Sequence, residues 1–314
     1  MGIKIANTNA ATAKAAGIAL PNASASPAKM VRIALPNKGV LCQPALAMLK
    51  KAGFAALDSP QETLCARCED GRVEYLFVRA QDVPKYVDSG AAYAGITGLD
   101  MVAEDGSGAR QMLELGFGQC EIALAVPEAS GVDSVLGLSG KRIATKLPNT
   151  ARKYLAGSGV SAELLELSGA TEIAPAANLA DAVIDHVQTG RTLRANRLRR
   201  IATIAKSSAF LIASAKEDAA GEEILQEIAL SLQGVRKAEG LKYLVLNAPT
   251  DASLKKVLAV LPSMESPTVL KLAKEGEWAV QTVIKAGQLA TVVRQVKLAG
   301  GKDILVMPLE KVID

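Results

Sequence analysis

Short aliphatic runs alternate with helix-forming segments along the chain from Met30 onward. The hydrophobic pattern predicts strands at 31–35, 73–78, 94–96, 121–126 and 142–145, and helices at 43–52, 80–89, 149–155 and 180–188. Gly53, Gly90 and Pro127 end three of these segments. Strands and helices in alternation favour a largely parallel sheet with helices on both faces.

The alternation starts again after Pro127, which predicts two α/β lobes with a cleft between them. We expect the first lobe to span 30–120 and to be completed by about 206–234, with the second lobe at 121–205. Ligands of such folds bind in the crevice at the carboxyl ends of the strands.

The C-terminal part has a different pattern. Strands are predicted at 243–246, 267–271, 278–284 and 304–308, and helices at 253–260 and 289–299. This order is βαββαβ, the ferredoxin-like arrangement. The polar stretch 233–240 is interpreted as a linker, so a third domain is expected at 238–314.

Composition narrows the class of protein. Apolar residues make up 49% and charged residues 22%, as in a soluble globular protein, whereas aromatic residues are only 3%. A formal charge of +4 with so few aromatic side chains argues against a nucleic-acid partner, and no stretch is apolar enough for a membrane span. Four cysteines do not form a disulfide framework, so a reducing compartment, the cytoplasm, is expected.

Two segments have alternative interpretations. Cys65 and Cys68 form a CxxC pair that fits redox chemistry or half a zinc site, but two ordinary thiols on a strand are favoured because no second pair exists. Residues 1–29 lack any acidic residue and resemble a leader only weakly. A disordered extension is expected there, and its 18–22 segment repeats the 33–37 sequence.

The segment 172–193 carries the strongest chemical signal. Asp181 and Asp185 are four residues apart, so on the predicted helix they share one face and need a cation or hydroxyl donors between them. The loop Thr189-Gly190-Arg191-Thr192 offers hydroxyls, backbone N–H groups and a cation, as in an anion nest. A sugar phosphate fits both features, although a solvated helix ending at a glycine explains the spacing equally well.

This segment resembles the signature of the ATP phosphoribosyltransferase family. That family has a Glu before an Ala-Asp-Ala-hydrophobic-x-Asp run and a Ser/Thr-Gly-x-Thr-Leu loop. Further similarity follows in the family's order from about Val31 to the C-terminus, at 32–39, 79–84, 95–98, 115–120, 142–145, 148–149, 247–249 and 262–268. Many ordered matches are hard to produce by chance.

The resemblance implies an α/β fold with two periplasmic-binding-protein-like lobes and a C-terminal ferredoxin-like domain. It also implies transfer of the phosphoribosyl group from phosphoribosyl pyrophosphate to N1 of ATP, the first step of histidine biosynthesis, with Mg2+ as cofactor, histidine as feedback inhibitor and a dimeric or hexameric homo-oligomer. By position, the catalytic residues are Asp181, Asp185 and Glu172, of which the two aspartates also hold the metal. Phosphoribosyl pyrophosphate is expected to bind Thr189, Gly190, Arg191, Thr192 and Leu193, and ATP to bind Lys38, Gly39 and Arg79.

Four positions depart from the family pattern. Val40 stands where the family has Arg, Tyr93 lies in a segment that replaces an acid-Leu pair, Asn178 replaces Gly, and His186 replaces an aliphatic residue. Asn tolerates the positive φ that a glycine position implies. Val40 and Tyr93 leave open a catalytically weak paralogue that senses histidine or nucleotides. A two-lobed solute-binding protein is the other alternative, but it does not explain the acids and the loop.

Overall fold

A computed structural model describes residues 30–216, 218–262 and 266–313. The extension expected at residues 1–29 lies outside the described residues. Within them, no helix is both long and apolar enough to cross a membrane.

The described chain folds into three sheets with helices packed on them. The strands are β1 (Val31–Pro36), β2 (Cys65–Arg67), β3 (Val73–Val78), β4 (Ala94–Gly98), β5 (Arg110–Glu114), β6 (Cys120–Pro127), β7 (Arg142–Thr145), β8 (Glu163–Glu166), β9 (Ala182–Val187), β10 (Leu198–Ser207), β11 (Ala209–Ala213), β12 (Leu241–Ala248), β13 (Thr268–Lys271), β14 (Trp278–Lys285) and β15 (Lys302–Pro308). The helices are α1 (Cys42–Ala52), α2 (Val83–Ser89), α3 (Leu99–Asp105), α4 (Pro148–Gly157), α5 (Arg191–Ala195), α6 (Ala219–Ala238), α7 (Asp251–Val260) and α8 (Leu289–Leu298).

The first sheet has the order β2-β3-β1-β4-β11-β5, and its central strands β3, β1 and β4 run parallel. Helices α1 and α6 cover one face with a large aliphatic core, and α2 and α3 cover the other. The central strands are largely apolar, so most of their residues are buried, as expected for parallel strands. Arg32 and Glu74, which form an ion pair, are the charged residues of β1 and β3. We call this sheet with its four helices the first lobe.

The second sheet has the order β10-β6-β9-β7-β8. Strand β9 runs parallel to β7 and antiparallel to β6. Helix α4 buries Ala151 and Leu155 on one face, and Leu193 of α5 packs on the other. We call this sheet with α4 and α5 the second lobe. The chain passes between the lobes twice, from β5 to β6 and from β10 to β11.

The third sheet has the order β13-β14-β12-β15 and is fully antiparallel, with α7 and α8 on one face. The predicted βαββαβ pattern is confirmed, with each strand within a few residues of its expected bounds. The α/β class with two lobes and a ferredoxin-like unit is therefore correct.

Two sequence-based predictions are wrong. Residues 180–188 were expected to be helical, yet Ala182–Val187 is the central strand β9 of the second sheet. A strand buried on both faces has no alternation, so its aliphatic run cannot be told from a buried helix by periodicity. The stretch 233–240 was interpreted as a linker, but helix α6 continues to Ala238.

Candidate active site

Asp185 lies at the carboxyl end of β9 and is almost fully buried, with 7% of its surface exposed. One carboxylate oxygen, Oδ1, is 2.8 Å from Nζ of Lys146 and accepts the backbone N–H of His186 at 2.6 Å. The other, Oδ2, accepts a short hydrogen bond from the Thr171 hydroxyl. Lys146 directly follows the parallel neighbour β7, so two adjacent strand ends bring the ion pair together.

The environment keeps Asp185 ionised. Burial alone would raise the pKa of this carboxyl group, but the contacts with His186, Lys146 and Thr171 outweigh it and hold the pKa well below its usual range. A buried carboxylate with a strongly shifted pKa at a strand end is typical of a functional site.

The loop after β9 turns sharply at Gly190, whose φ of 68° is left-handed and favours glycine. Leu193 is buried in the core of the second lobe and anchors the loop. The side chains of Thr189, Arg191 and Thr192 are exposed. The guanidinium group of Arg194 donates to the Thr189 carbonyl at 3.3 Å and ties the loop to α5.

Asp181 and Glu172 do not share the position of Asp185 at the carboxyl end of β9. Asp181 precedes β9, at the opposite end from Asp185, and a separation of four strand residues corresponds to roughly 13 Å. Its carboxylate accepts the backbone N–H of Arg142 at 2.9 Å, so it pairs with the start of β7. The expected shared helix face for the two aspartates is therefore wrong. Glu172 is half-buried and lies beside Thr171, close in sequence to the Asp185 contact.

The predicted metal pair does not form. The two carboxylates do not converge, because Asp181 accepts the backbone N–H at the start of β7 while Asp185 pairs with Lys146 at the end of that strand. These residues therefore do not fit a magnesium ion held jointly by Asp181 and Asp185.

The first-lobe residues follow two adjacent parallel strands. Lys38 and Gly39 come after β1 and Arg79 after β3, and these strand ends pair Pro36 with Val78. Both side chains, Lys38 and Arg79, are exposed and make no ion pair within the described part of the chain. The carboxyl ends of β1, β3 and β4 share one edge of the sheet, so these cations lie on the edge that also carries Asp100 after β4.

The two lobes meet through Asp100. Its Oδ2 is 2.5 Å from Nε2 of His186, and its Oδ1 accepts the Ser207 hydroxyl at 2.5 Å. A Cβ atom added at Gly98 would lie 2.1 Å from Oδ1 of Asp100, so any side chain at this position would displace the carboxylate. The hydrogen bonds of His186 raise its pKa to about 9 against the effect of burial. Burial and nearby Asp100 raise the pKa of Cys120 to about 11.

The four departures from the family pattern have distinct surroundings. Val40 is 63% exposed on the loop after β1. The Tyr93 hydroxyl donates to Glu222 at 2.8 Å, so this residue fastens α6 to the first sheet. Asn178 has the expected left-handed backbone, with φ of 58°. His186 was expected on a helix in a packing or surface role; it lies on β9 and contacts Asp100 across the lobes.

Sequence reasoning missed several residues of this junction. Lys146 falls directly after a predicted strand, and this position was a usable signal for a strand-end site. Arg194, also missed, contacts Thr189 only five residues away. The other missed residues, Asp100, Cys120, Thr171 and Ser207, reach the site through contacts distant in sequence. No local pattern announces such contacts.

The comparisons with known proteins extend over most of the chain. The family model described as ATP phosphoribosyltransferase matches residues 79–234, and the model of its C-terminal domain matches residues 238–311. An ATP phosphoribosyltransferase from Methanocella arvoryzae is 40% identical over 88% of this chain and 97% of its own length. One from Methanopyrus kandleri is 39% identical with the same coverage.

A solved structure agrees with these relatives. The ATP phosphoribosyl transferase (HisG:HisZ) complex from Thermotoga maritima contains a chain that matches with a TM-score of 0.58 and 28% identity, covering 65% of this chain and 96% of that one. Fold and relatives together define the class as a pentosyltransferase with two α/β lobes. More particularly, the chain belongs to the ATP phosphoribosyltransferase family, the enzymes of histidine biosynthesis.

Proposed function

We propose that the junction between the lobes is the active site, with phosphoribosyl pyrophosphate on the second lobe and ATP on the first. The loop Thr189–Thr192 binds the 5′-phosphate, and Leu193 anchors it. Asp185 accepts hydrogen bonds from the ribose hydroxyls. Glu172, beside Thr171, supplies a second carboxylate at the same strand end.

The observation that carries this assignment is the ion pair between the buried carboxylate of Asp185 and the exposed ammonium group of Lys146, just before an exposed loop of hydroxyls and backbone N–H groups. Burying a carboxylate is costly, and the ion pair with Lys146 offsets that cost. Because Asp185 lies at a strand end and not within the hydrophobic core, we interpret its burial as functional. Hydroxyls and N–H groups in a turn suit a phosphate.

The reaction needs positioning more than proton transfer. The lone pair of adenine N1 forms a bond to C1′ of the ribose, while the bond from C1′ to the pyrophosphate oxygen breaks and the pyrophosphate leaves with its electron pair. Positive charge develops on the ribose in between. The fixed negative charge of Asp185 stabilises it, and exposed cations stabilise the leaving group.

The first lobe supplies the cations for ATP or pyrophosphate. Lys38 and Arg79 are exposed at one sheet edge, and Gly39, with φ of 83°, keeps the loop open for a close approach. The side-chain oxygen of Asn37, on the same loop, is buried without a hydrogen-bond donor in the described structure. An amino group such as that of adenine satisfies an acceptor of this kind.

Enzymes of this family typically use a metal. Because Asp181 and Asp185 do not converge, we propose that Mg2+ enters with the pyrophosphate group of the substrate. The protein residues then bind a substrate whose charge the metal partly neutralises. Asp181 has a structural role instead, since its carboxylate accepts the backbone N–H of Arg142 at the start of β7.

We propose that residues 238–314 form a regulatory domain that binds histidine. A groove of about 390 Å³ lies between the end of α7 and the start of α8, where Gln288, Thr291 and Gln295 provide polar groups. Part of the neighbouring segment, 263–265, lies outside the described residues.

Edge strand β15 exposes Leu305 and Met307, which supports assembly into a homo-oligomer. Membership of a biosynthetic family and free thiols support a cytoplasmic location.

The site assignment is tested by Asp185→Asn, with Asp181→Asn, just before the start of the same strand, as the matched control. Formation of phosphoribosyl-ATP is followed by absorbance with ATP, phosphoribosyl pyrophosphate and Mg2+. We expect kcat to fall about 100-fold or more for Asp185→Asn, because a fixed charge at the reacting ribose is lost. Asp181→Asn should retain kcat, since its carboxylate lies at the far end of β9.

Equal losses in both variants would contradict the assignment, as would full activity of Asp185→Asn. Circular dichroism of both variants separates loss of fold from loss of chemistry. The same assay with added histidine tests the regulatory domain: suppression is expected, and unchanged turnover would leave that domain as an assembly module.

A further inference from the structure

Three potential metal ligands of different type converge where the lobes meet. One carboxylate oxygen of Asp100, Sγ of Cys120 and one ring nitrogen of His186 lie within 4.8 Å of one another. Asp100 lies in the first turn of α3 in the first lobe, whereas Cys120 begins β6 and His186 lies near the end of β9, both in the second lobe. The proposed transfer reaction gives none of the three a task.

The donor set is characteristic of one group of metals. Thiolate, imidazole and a single carboxylate oxygen suit Zn2+ and its neighbours, whereas Mg2+ prefers oxygen ligands throughout. In tetrahedral zinc sites the ligands lie about 2.0 to 2.3 Å from the ion, so pairs of ligand atoms are roughly 3.3 to 3.8 Å apart. The three ligand atoms here lie within 4.8 Å of one another, so small side-chain shifts bring them to this spacing.

Neighbouring groups hold two of the ligands in a suitable orientation. The Ser207 hydroxyl donates to Oδ1 of Asp100 and accepts the Asp100 backbone N–H at 3.0 Å, which leaves Oδ2 directed at His186. Oδ1 of Asp185 is 3.6 Å from Nδ1 of His186, so a proton on Nδ1 leaves Nε2 available to an ion. A carboxylate behind a ligating histidine is a common arrangement in metal sites.

The local charges balance once an ion is bound. The carboxylates of Asp100 and Asp185 and the thiolate of Cys120 carry negative charge, against a divalent ion and the ammonium group of Lys146. Without the ion, the proton on His186 takes this role between the two carboxylates. A metal ion therefore replaces protons rather than adding uncompensated charge to a half-buried site.

We propose that Asp100, Cys120 and His186, with water as fourth ligand, form a binding site for a divalent ion of the Zn2+ class that joins the two lobes. On binding, one proton leaves the imidazolium group of His186 and one leaves the thiol of Cys120. The hydrogen bond between Asp100 and His186 opens by roughly 1 Å to reach the spacing of zinc ligands. Because the ligands come from both lobes, the ion fixes their separation and slows turnover.

The test uses Co2+ alone as a spectroscopic probe for Zn2+, with the full chain purified without a histidine tag. We expect one equivalent to bind with the intense visible bands of tetrahedral cobalt and a thiolate-to-cobalt charge-transfer band in the near ultraviolet. Zn2+ should displace it. Cys120→Ser should remove the charge-transfer band, and His186→Val should weaken binding by at least about 10-fold.

Cys65→Ser is the matched control, because Cys65 is an exposed thiol in the same lobe as Asp100. It should bind Co2+ as the unmodified chain does. A charge-transfer band that survives in Cys120→Ser, or disappears in Cys65→Ser, would place the metal at another thiol and overturn the proposal. Absence of any tetrahedral cobalt spectrum would reduce the cluster to an ion pair between Asp100 and His186.

Discussion

At the scale of single residues, Glu222 illustrates how a departure from the family pattern is accommodated. Its Oε2 accepts the Tyr93 hydroxyl at 2.8 Å and the Arg110 guanidinium at 2.7 Å, and its Oε1 accepts the Gln226 amide at 2.7 Å. Tyr93 therefore has a structural partner on α6. This contact gives Tyr93 a structural role that does not depend on catalysis.

These contacts make Glu222 sensitive to acid. The hydrogen bonds from Arg110, Gln226 and Tyr93 lower its pKa to about 2 from an ordinary value of 4.5. A carboxyl group with a lowered pKa stabilises the fold above its unfolded-state pKa, and this contribution disappears as the pH falls from 4.5 towards 2. We expect the melting temperature of the unmodified chain to fall more steeply over this window than that of Glu222→Gln.

The measurement is thermal unfolding by circular dichroism at several pH values. Glu223→Gln, which alters an exposed carboxylate one residue along the same helix, is the control and should follow the unmodified chain. Parallel curves for Glu222→Gln and the unmodified chain would show that the contact adds no pH-dependent stability.

At the scale of elements, strands and helices were predicted best where a glycine marks their end or where one face is buried and the other exposed. Helix α1 ends at Gly53 with φ of 88°, as its glycine indicated, and β14 and α8 were found within one residue. Strand β9 was mistaken for a helix because Asp181 and Asp185 also fit helical spacing. Only the pairing of β9 with β6 and β7, which involves residues distant along the chain, decides between the two.

Helix α4 offers an element-scale prediction. The backbone N–H groups of Asn149 and Thr150, in its first turn, each donate to the Glu104 carboxylate at 2.8 Å, and Glu104 belongs to α3 of the other lobe. This charge satisfies donors that a helix start leaves unpaired and favours the positive end of the helix dipole. Glu104→Ala should lower the free energy of unfolding by about 1 to 2 kcal/mol.

Chemical denaturation measures this change. The control is Asp105→Ala, which removes the neighbouring carboxylate of α3, whose partner Lys85 lies 3.8 Å away within the first lobe. This pair, in which Lys85 is exposed and the two charges are 3.8 Å apart, should contribute under about 1 kcal/mol. Equal losses in the free energy of unfolding would mean that the contact across the lobes stabilises the fold no more than the ion pair of Asp105 does.

At the scale of the whole molecule, the chain end returns from the third sheet to the first lobe. The Lys311 ammonium group donates to the Ala52 carbonyl at 2.6 Å, and the Val312 N–H donates to the Gly234 carbonyl at 3.0 Å. These contacts join the ferredoxin-like unit to the ends of α1 and α6. These contacts could not be predicted from the sequence, since residues 309–313 have no periodic pattern.

Ending the chain after Pro308 should therefore lower the melting temperature. Two hydrogen bonds, one of them charge-assisted, correspond to about 2 to 4 kcal/mol at most, or several degrees for a chain of this size. Lys311→Met, which keeps the backbone contact, should lie between the truncated and unmodified chains. If the truncated chain kept the full melting temperature, the contacts of residues 309–313 with the first lobe would add nothing to stability.

The strand order of the first sheet also bears on how the molecule is made. Strand β11 lies between β4 and β5, and it is β5's partner in the sheet, yet the whole second lobe precedes β11 in the chain. As the polypeptide leaves the ribosome, β5 has no partner until residues 209–213 have emerged. The second lobe, by contrast, is complete at Ser207. We therefore expect the second lobe to fold first during synthesis. The first lobe should complete its sheet afterwards, once β11 can pair with β4 and β5.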